Sequence, residues 1–290
     1  MSKKILVTGS SGGFGRLTTL TLLEKGHTVV ATMREPENKN KSVAEELRTA
    51  GAHVVDIDVT NDESVNQGVA TAMEMADGLD VVINNAGVGV LGLQEAFTPE
   101  DWQKLFDINV FGVQRINRAV LPHLRAQKSG LLIHISSLLG RIALPFYGPY
   151  NASKWALEAM AENYRVELSG SGVDVCIVEP GGYPTTFMTN LFKPSDTTRD
   201  AGYGDLAQAP MQLYTNFEQA LANNPAQDPQ NVADAISALI DTPAGQRKFR
   251  TAVDKMGMGD PINGYNDHLE QITTGIYTAF GMGDMLKLKV

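Results

Sequence analysis

Tyr150 and Lys154 stand four residues apart in the run Gly148-Pro-Tyr-Asn-Ala-Ser-Lys-Trp-Ala-Leu157. Pro149 suits the first turn of a helix, where a missing N–H has no intrahelical partner to lose. Ala152, Leu157, Ala161, Tyr164 and Leu168 continue at helical spacing. Positions i and i+4 of a helix share a face. A phenol ordinarily titrates near pH ~10, and a cation one turn away favours its ionised form. A phenol tuned in this way can exchange a proton with a substrate oxygen near neutral pH. Alone, the pair also fits an apolar helix edge beside a solvated charge. What decides is which elements bring other groups to it.

The chain opens on one such element. Ile5-Leu-Val7 reads as a strand and runs into Thr8-Gly-Ser-Ser-Gly-Gly-Phe-Gly15. Phe14, Leu17, Leu20, Leu22 and Leu23 then recur at helical spacing up to Gly26, and Thr28-Val-Val-Ala31 reads as a second strand. Strand, glycine-rich turn, helix and strand form the βαβ unit that binds dinucleotides. Glycines let the backbone approach a pyrophosphate, and the helix N-terminus offers it unpaired N–H groups. The glycines at 9, 12, 13 and 15 depart from the plain G-x-G-x-x-G spacing. The end of the second strand is where an adenosine ribose is read. It carries Met33 and Arg34 in place of an acid. Arg34 can pair with a 2′-phosphate, which favours NADP over NAD; an exposed loop arginine is the alternative.

Further strand-like runs lie at 53–59, 79–83, 130–135 and 173–178, with helical segments near 43–47, 63–76, 99–125 (one long helix, or two that meet) and 149–168. The alternation predicts an α/β fold with a doubly wound parallel sheet. Such sheets bind ligands at the C-terminal ends of their strands. Asp58, Asn84-Asn-Ala-Gly87, Ser136-Ser137 and Pro180-Gly181 fall there. Turn-making is the alternative for Asp58 and for the Asn-Asn-Ala-Gly run. Asn109 sits between Ile108 and Val110 in the apolar middle of the 99–125 helix, where an amide is unfavourable unless bonded. Residues 183–228 are apolar and punctuated by glycine and proline. They read as a lid inserted after the sixth strand, with a packing flap or oligomer contact as the alternative. A helix at 229–241, a short strand near 249–253 and a helix at 263–280 complete a single Rossmann-type domain over 1–290.

The net charge of −9 argues against nucleic-acid binding through phosphate contacts. No apolar run approaches the ~20 residues of a membrane span. Cys176 is the sole cysteine, which fits a reducing compartment, so a soluble cytoplasmic protein is expected. The five histidines show no metal-ligand spacing. Neither serine at 136–137 lies in a G-x-S-x-G elbow.

Taken together, Thr8-Gly-x-x-x-Gly-x-Gly15, Asp58, Asn84-Asn-Ala-Gly87, Asn109, Ser137, Tyr150-x-x-x-Lys154 and Pro180-Gly181 resemble the short-chain dehydrogenase/reductase superfamily over about residues 3–190. The resemblance implies that Tyr150 is the proton donor or acceptor at a carbonyl or alcohol oxygen. It implies that Lys154 lowers the Tyr150 pKa and holds the nicotinamide ribose. Ser137, with Gly140 three positions on, would bond the substrate oxygen, and Asn109 would hold a relay water. Gly9, Ser11, Gly13, Phe14 and Gly15 would form the phosphate turn. Asp58 and Val59 would meet the adenine, Asn85, Ala86 and Gly87 the adenosine side, and Pro180, Gly181, Tyr183 and Thr185 the nicotinamide end. The activity implied is NADP-dependent interconversion of a ketone or aldehyde and an alcohol, in a homodimer or homotetramer built through the helices at 99–125 and 149–168. A non-catalytic NADP-binding sensor or partner-binding protein on the same fold is the second reading; it would be expected to lack Tyr150 or Lys154, and both are present.

Tyr183 departs from the family pattern, which has a branched aliphatic residue there. Its ring is expected to shape the substrate side together with Leu138, Leu139, Phe146 and Phe187. That lining favours a small hydrophobic carbonyl or alcohol substrate.

Overall fold

The computed structural model describes residues 2–289. Seven strands, β1 (Lys4–Val7), β2 (Thr28–Met33), β3 (His53–Asp56), β4 (Val81–Asn84), β5 (Gly130–Ile135), β6 (Val173–Pro180) and β7 (Arg250–Val253), form one sheet. Their order is β3-β2-β1-β4-β5-β6-β7, and every pairing is parallel. The chain steps outward from β1 to β3, then returns beside β1 as β4 and proceeds the other way. That reversal opens a crevice beyond the C-terminal ends of β1 and β4.

The helices are α1 (Gly13–Glu24), α2 (Lys41–Thr49), α3 (Asp62–Ala76), α4 (Pro99–Phe106), α5 (Gly112–Ala126), α6 (Gly148–Leu168), α7 (Thr186–Thr189), α8 (Ala209–Ala222), α9 (Gln230–Asp241) and α10 (Gly259–Ala279). Successive side chains of a strand point to opposite faces, and the strands sort accordingly. Ile5, Val7, Val81, Ile83, Leu131 and Ile133 pack with Leu22 of α1 and Val232 and Ile236 of α9. Leu6, Val82 and Leu132 pack on the other face with Val65 of α3, Ile116 of α5 and Ala161 of α6. A fully buried aliphatic side chain contributes about 1.5–3 kcal/mol relative to exposure. Both faces are covered in this way, which is why the strands read as continuous apolar runs.

Three elements position the site in ways the sequence left open. Of the two arrangements expected over 99–125, the chain takes two helices that meet. α4 starts on a capping box, with Thr98 N–H donating to Asp101 Oδ2 at 3.0 Å and Asp101 N–H to Thr98 Oγ1 at 3.3 Å. The backbone then widens into a π turn over Asp107–Phe111, closed by Gly112 N–H reaching the Asp107 carbonyl. β3 stops at Asp56, so Asp58 and Val59 lie beyond the strand. The segment 183–228 holds α7, a 3-10 run over Thr197–Gln208 and α8. It is tied to the loop after β4 by a parallel bridge between Val90 and Phe192. Among the described residues no helix is long and apolar enough to cross a membrane.

Candidate active site

The glycine turn joins β1 to α1. Gly9 and Gly13 have φ of +69° and +48°, which glycine alone adopts without strain. Gly12 caps α1 without a side chain, and the first intrahelical bond is Arg16 N–H to the Gly12 carbonyl. The N–H groups before it are left for a ligand. A Cβ on Gly15 would strike the Gly9 carbonyl and stand 2.5 Å from Asn85 Nδ2. Thr185 faces the same turn, 3.5 Å from where a Gly13 Cβ would lie. The cradle suits a pyrophosphate. The Phe14 ring turns inward, edge-on to Tyr183, which leaves only its backbone at the turn.

Asn85 serves mainly as a staple. Its Nδ2 donates to the Thr8 carbonyl at 2.8 Å and to the Gly9 carbonyl at 3.1 Å. Thr8 Oγ1 accepts from the N–H groups of Asn85 and Ala86, each at 3.0 Å. The strand ends of β1 and β4 are thereby locked together, and the Asn85 amide hydrogens are committed to that lock. Asp58 is also partly committed: its Oδ1 accepts from Thr60 N–H at 2.9 Å and from Thr60 Oγ1 at 2.7 Å. The Val59 carbonyl accepts from Arg115 Nη1 at 3.1 Å. Arg34, just past β2, is exposed and has no ion pair among the described residues.

Tyr150, Lys154, Ser137 and Asn109 converge on the far side of this crevice. Regular helix geometry places Tyr150 and Lys154 on one face of α6, with Lys154 Nζ 5.6 Å from the centre of the Tyr150 ring. Lys154 Nζ donates to the Ile135 carbonyl at 2.8 Å. Ser137, directly after β5, accepts from Leu139 N–H at 3.1 Å through Oγ. Ser136 is buried with its hydroxyl toward Gly140. The π turn points Asn109 inward. Its Oδ1 accepts from Val88 N–H at 2.9 Å, and its Nδ2 donates to the Val88 carbonyl at 2.9 Å and Ser153 Oγ at 3.1 Å. The side chain thus braces the loop after β4 and has no amide hydrogen left for a relay water. A Cβ on Gly87 would lie 3.4 Å from Asn109 Oδ1 and 3.7 Å from Lys154 Nζ, so that glycine keeps the space between them open.

The electrostatics differ from the simple helical picture. Burial raises the Tyr150 phenol above its ordinary value, and the nearby Ser137 hydroxyl offsets part of this. Burial lowers the Lys154 ammonium to about 8, with Glu158 acting the other way. Desolvation dominates the phenol, and the depression expected from Lys154 is not among the influences on it. The buried phenol therefore holds its proton.

A family model for short chain dehydrogenases matches residues 3–196. The chain belongs to this family of oxidoreductases. It is 38% identical over 202 residues to the 3-ketodihydrosphingosine reductase of Bacteroides thetaiotaomicron, covering 69% of this chain and 71% of that one. A short-chain dehydrogenase of Streptomyces avermitilis superposes with a TM-score of 0.75 at 28% identity, over 98% of this chain and 99% of the other. A short chain dehydrogenase/reductase of Burkholderia phymatum in complex with NAD superposes with a TM-score of 0.72 at 25% identity, over 87% and 88%.

In this short-chain dehydrogenase an apolar wall rises beside Tyr150. Val88, Val90, Leu139, Tyr147 and Phe187 pack with it. Leu139 and Phe187, expected on the substrate side, stand in this wall. Phe146 is half-buried, with its carbonyl bonded to Gly92 N–H at 3.0 Å, and Leu138 is buried outside this cluster. Tyr183 is a correction. It is buried on the opposite face of the sheet, edge-on to Phe14 at 5.5 Å, with its hydroxyl donating to the Val253 carbonyl at 3.2 Å. Its ring does not reach the substrate side. Val88, Val90 and Tyr147 were not expected. The alternation in Gly87-Val-Gly-Val90 was the available signal, since glycines beside apolar residues at a strand end admit close packing. A Cβ on Gly89 would stand 2.6 Å from Phe187 Cζ and from Leu191 Cδ2.

Proposed function

We propose that the chain interconverts a ketone or aldehyde and an alcohol, with NADP as redox partner and Tyr150 as the acid/base group. The convergence of Tyr150, Ser137 and Lys154 beside a glycine cradle at the strand ends carries this reading. A nicotinamide dinucleotide bound there supplies or accepts the hydride. The chain does the rest. Gly9, Gly13 and Gly15 admit the phosphates, and Arg34 takes the 2′-phosphate. Ser137 orients the substrate oxygen, and Tyr150 gives that oxygen its proton in reduction or removes it in oxidation. Lys154, still charged below about pH 8, stabilises the phenolate left behind.

The wall of Val88, Val90, Leu139 and Phe187 supports a hydrophobic substrate, and the 183–228 segment acts as its lid. Exposed Phe111 and Trp155, beside and on the long helices α5 and α6, support a homodimer through that face. The test follows NADPH oxidation with a panel of aliphatic and aryl ketones and aldehydes. Turnover that falls at least a thousandfold in Tyr150→Phe is expected. No turnover with any of them, or a Tyr150→Phe variant equal to wild type, would overturn the reading.

A further inference from the structure

Four ionisable side chains with no part in this scheme are buried together behind Tyr150 and Lys154, and burial beside Glu158 pushes the Glu179 carboxyl up to about 8. Arg141, Glu158, Glu179 and Arg250 are each less than a tenth exposed. Glu158 Oε2 accepts from Arg141 Nη2 at 2.8 Å and from Arg250 Nε at 2.9 Å. Glu179 Oε1 lies 3.5 Å from Arg141 Nε and 3.6 Å from Arg250 Nε. Asn266 of α10 donates to Glu179 Oε2 at 2.5 Å. Removing such charges from water is unfavourable, and a buried ion cluster is a weak source of net stability. What distinguishes this one is the set of segments it joins.

Tyr150, Lys154 and Glu158 follow one another at successive turns of α6, on one face. Arg141 closes the turn that starts at Ser137, where Gly140 N–H donates to the Ser137 carbonyl at 2.8 Å and Arg141 N–H to the Leu138 carbonyl at 3.0 Å. A Cβ on Gly140 would lie 3.1 Å from Glu158 Cγ, so the Glu158 stem lies directly on that turn. Glu179 immediately precedes Pro180, whose carbonyl faces the Ser137 hydroxyl at 3.5 Å.

We propose that Glu158 is a positioning residue of the hydride-transfer site. Through Arg141 it fixes the Ser137 turn relative to Tyr150 and Lys154, and through Arg250 and Glu179 it fixes the Pro180-Gly181 strand end. The proposal rests on Tyr150 being the acid/base group.

Two variants of the full chain test it. Glu158→Gln keeps the size and removes the charge; Glu158→Asp keeps the charge and withdraws it by one methylene. Amide hydrogen exchange is followed at 136–142 and at the glycine turn 8–15. Both variants are expected to exchange about tenfold faster at 136–142, with 8–15 unchanged and NADPH affinity within about twofold. The kcat then falls by at least about tenfold, more than KM changes, because the oxygen-orienting hydroxyl is misplaced. The titratable groups facing Lys154 are Tyr150 and Glu158 on α6 and His134 on β5. The basic limb of the kcat profile therefore moves to lower pH in Glu158→Gln and stays in place in Glu158→Asp. Unchanged exchange at 136–142, acceleration spread equally over 8–15, or wild-type kcat and pH limb each overturn the proposal. If Glu158→Gln does not fold, Glu158→Asp decides through exchange and kcat. Wild type inactive on every carbonyl compound counts against the functional reading alone, and exchange still decides whether Glu158 holds the Ser137 turn.

Discussion

The Phe187 ring stands 5.7 Å from the Tyr150 ring, centroid to centroid, tilted by 57°. On the proposed reaction a carbonyl at the phenol would share that space, and Phe187 would set the size of group admitted. Phe187→Ala is expected to raise kcat/KM for bulky aryl ketones about tenfold relative to acetone-sized ones, the range that pocket contacts of this kind command. Phe187 is half-buried, so the stability loss stays near ~1 kcal/mol. Specificity constants across a ketone series check this; an unchanged ratio would remove Phe187 from the substrate side.

Lys154 links the site to stability. Burial takes its ammonium from an ordinary 10.5 to about 8. Between those values the unfolded chain binds the proton that the folded chain has released, so stability rises with pH across that window. Below about pH 8 both states are charged, and the fold carries the whole desolvation cost. Lys154→Met has no such group. Its stability relative to wild type is expected to fall by about 2–3 kcal/mol between pH 7.5 and 10. Urea unfolding of both proteins at four pH values measures the slope, and a flat difference would refute it.

How much was legible follows from the kind of geometry involved. Tyr150 and Lys154 could be paired because i and i+4 keep their relation on any regular helix. The strands could be placed because both faces of a parallel sheet are buried. Asn109 could be flagged as a buried amide, but its partners depended on a π turn that no hydrophobic period announces. Tyr183 was misplaced because the direction a chain takes after a strand end decides which face its side chain joins, and here Phe14 and Val253 received it. The charged cluster was invisible: Arg141, Glu158, Glu179 and Arg250 lie on four separate segments with no shared spacing.

Arg34 decides the cofactor prediction. It is exposed just past β2 and has no ion pair among the described residues, and charge-assisted bonds to a 2′-phosphate would add to affinity. Arg34→Asp replaces attraction by repulsion. The NADPH Kd is expected to rise more than tenfold while the NADH Kd holds or falls. Fluorescence titration with both cofactors tests this, and an equal loss for the two would show that Arg34 is not reading the 2′ position.

Gly15 ties cofactor binding to packing. A Cβ there would meet the Gly9 carbonyl and Asn85 Nδ2. Neither can yield cheaply: one is backbone of the phosphate turn, and the other is the amide that staples β4 to β1. Overpacking of this kind costs about 1–3 kcal/mol, so Gly15→Ala should melt several degrees below wild type. It should also lose the upward shift in melting temperature that saturating NADPH gives the wild type, since a ligand stabilises only the form that binds it. Gly275 supplies the control. It lies in α10 with nothing near a Cβ, and alanine is the better helix former by about 0.5–1 kcal/mol. Gly275→Ala should therefore raise the melting temperature slightly and keep the full NADPH shift. If Gly15→Ala melted and bound like Gly275→Ala, the close contact over the glycine turn would be wrong, and the phosphate cradle built on it with it.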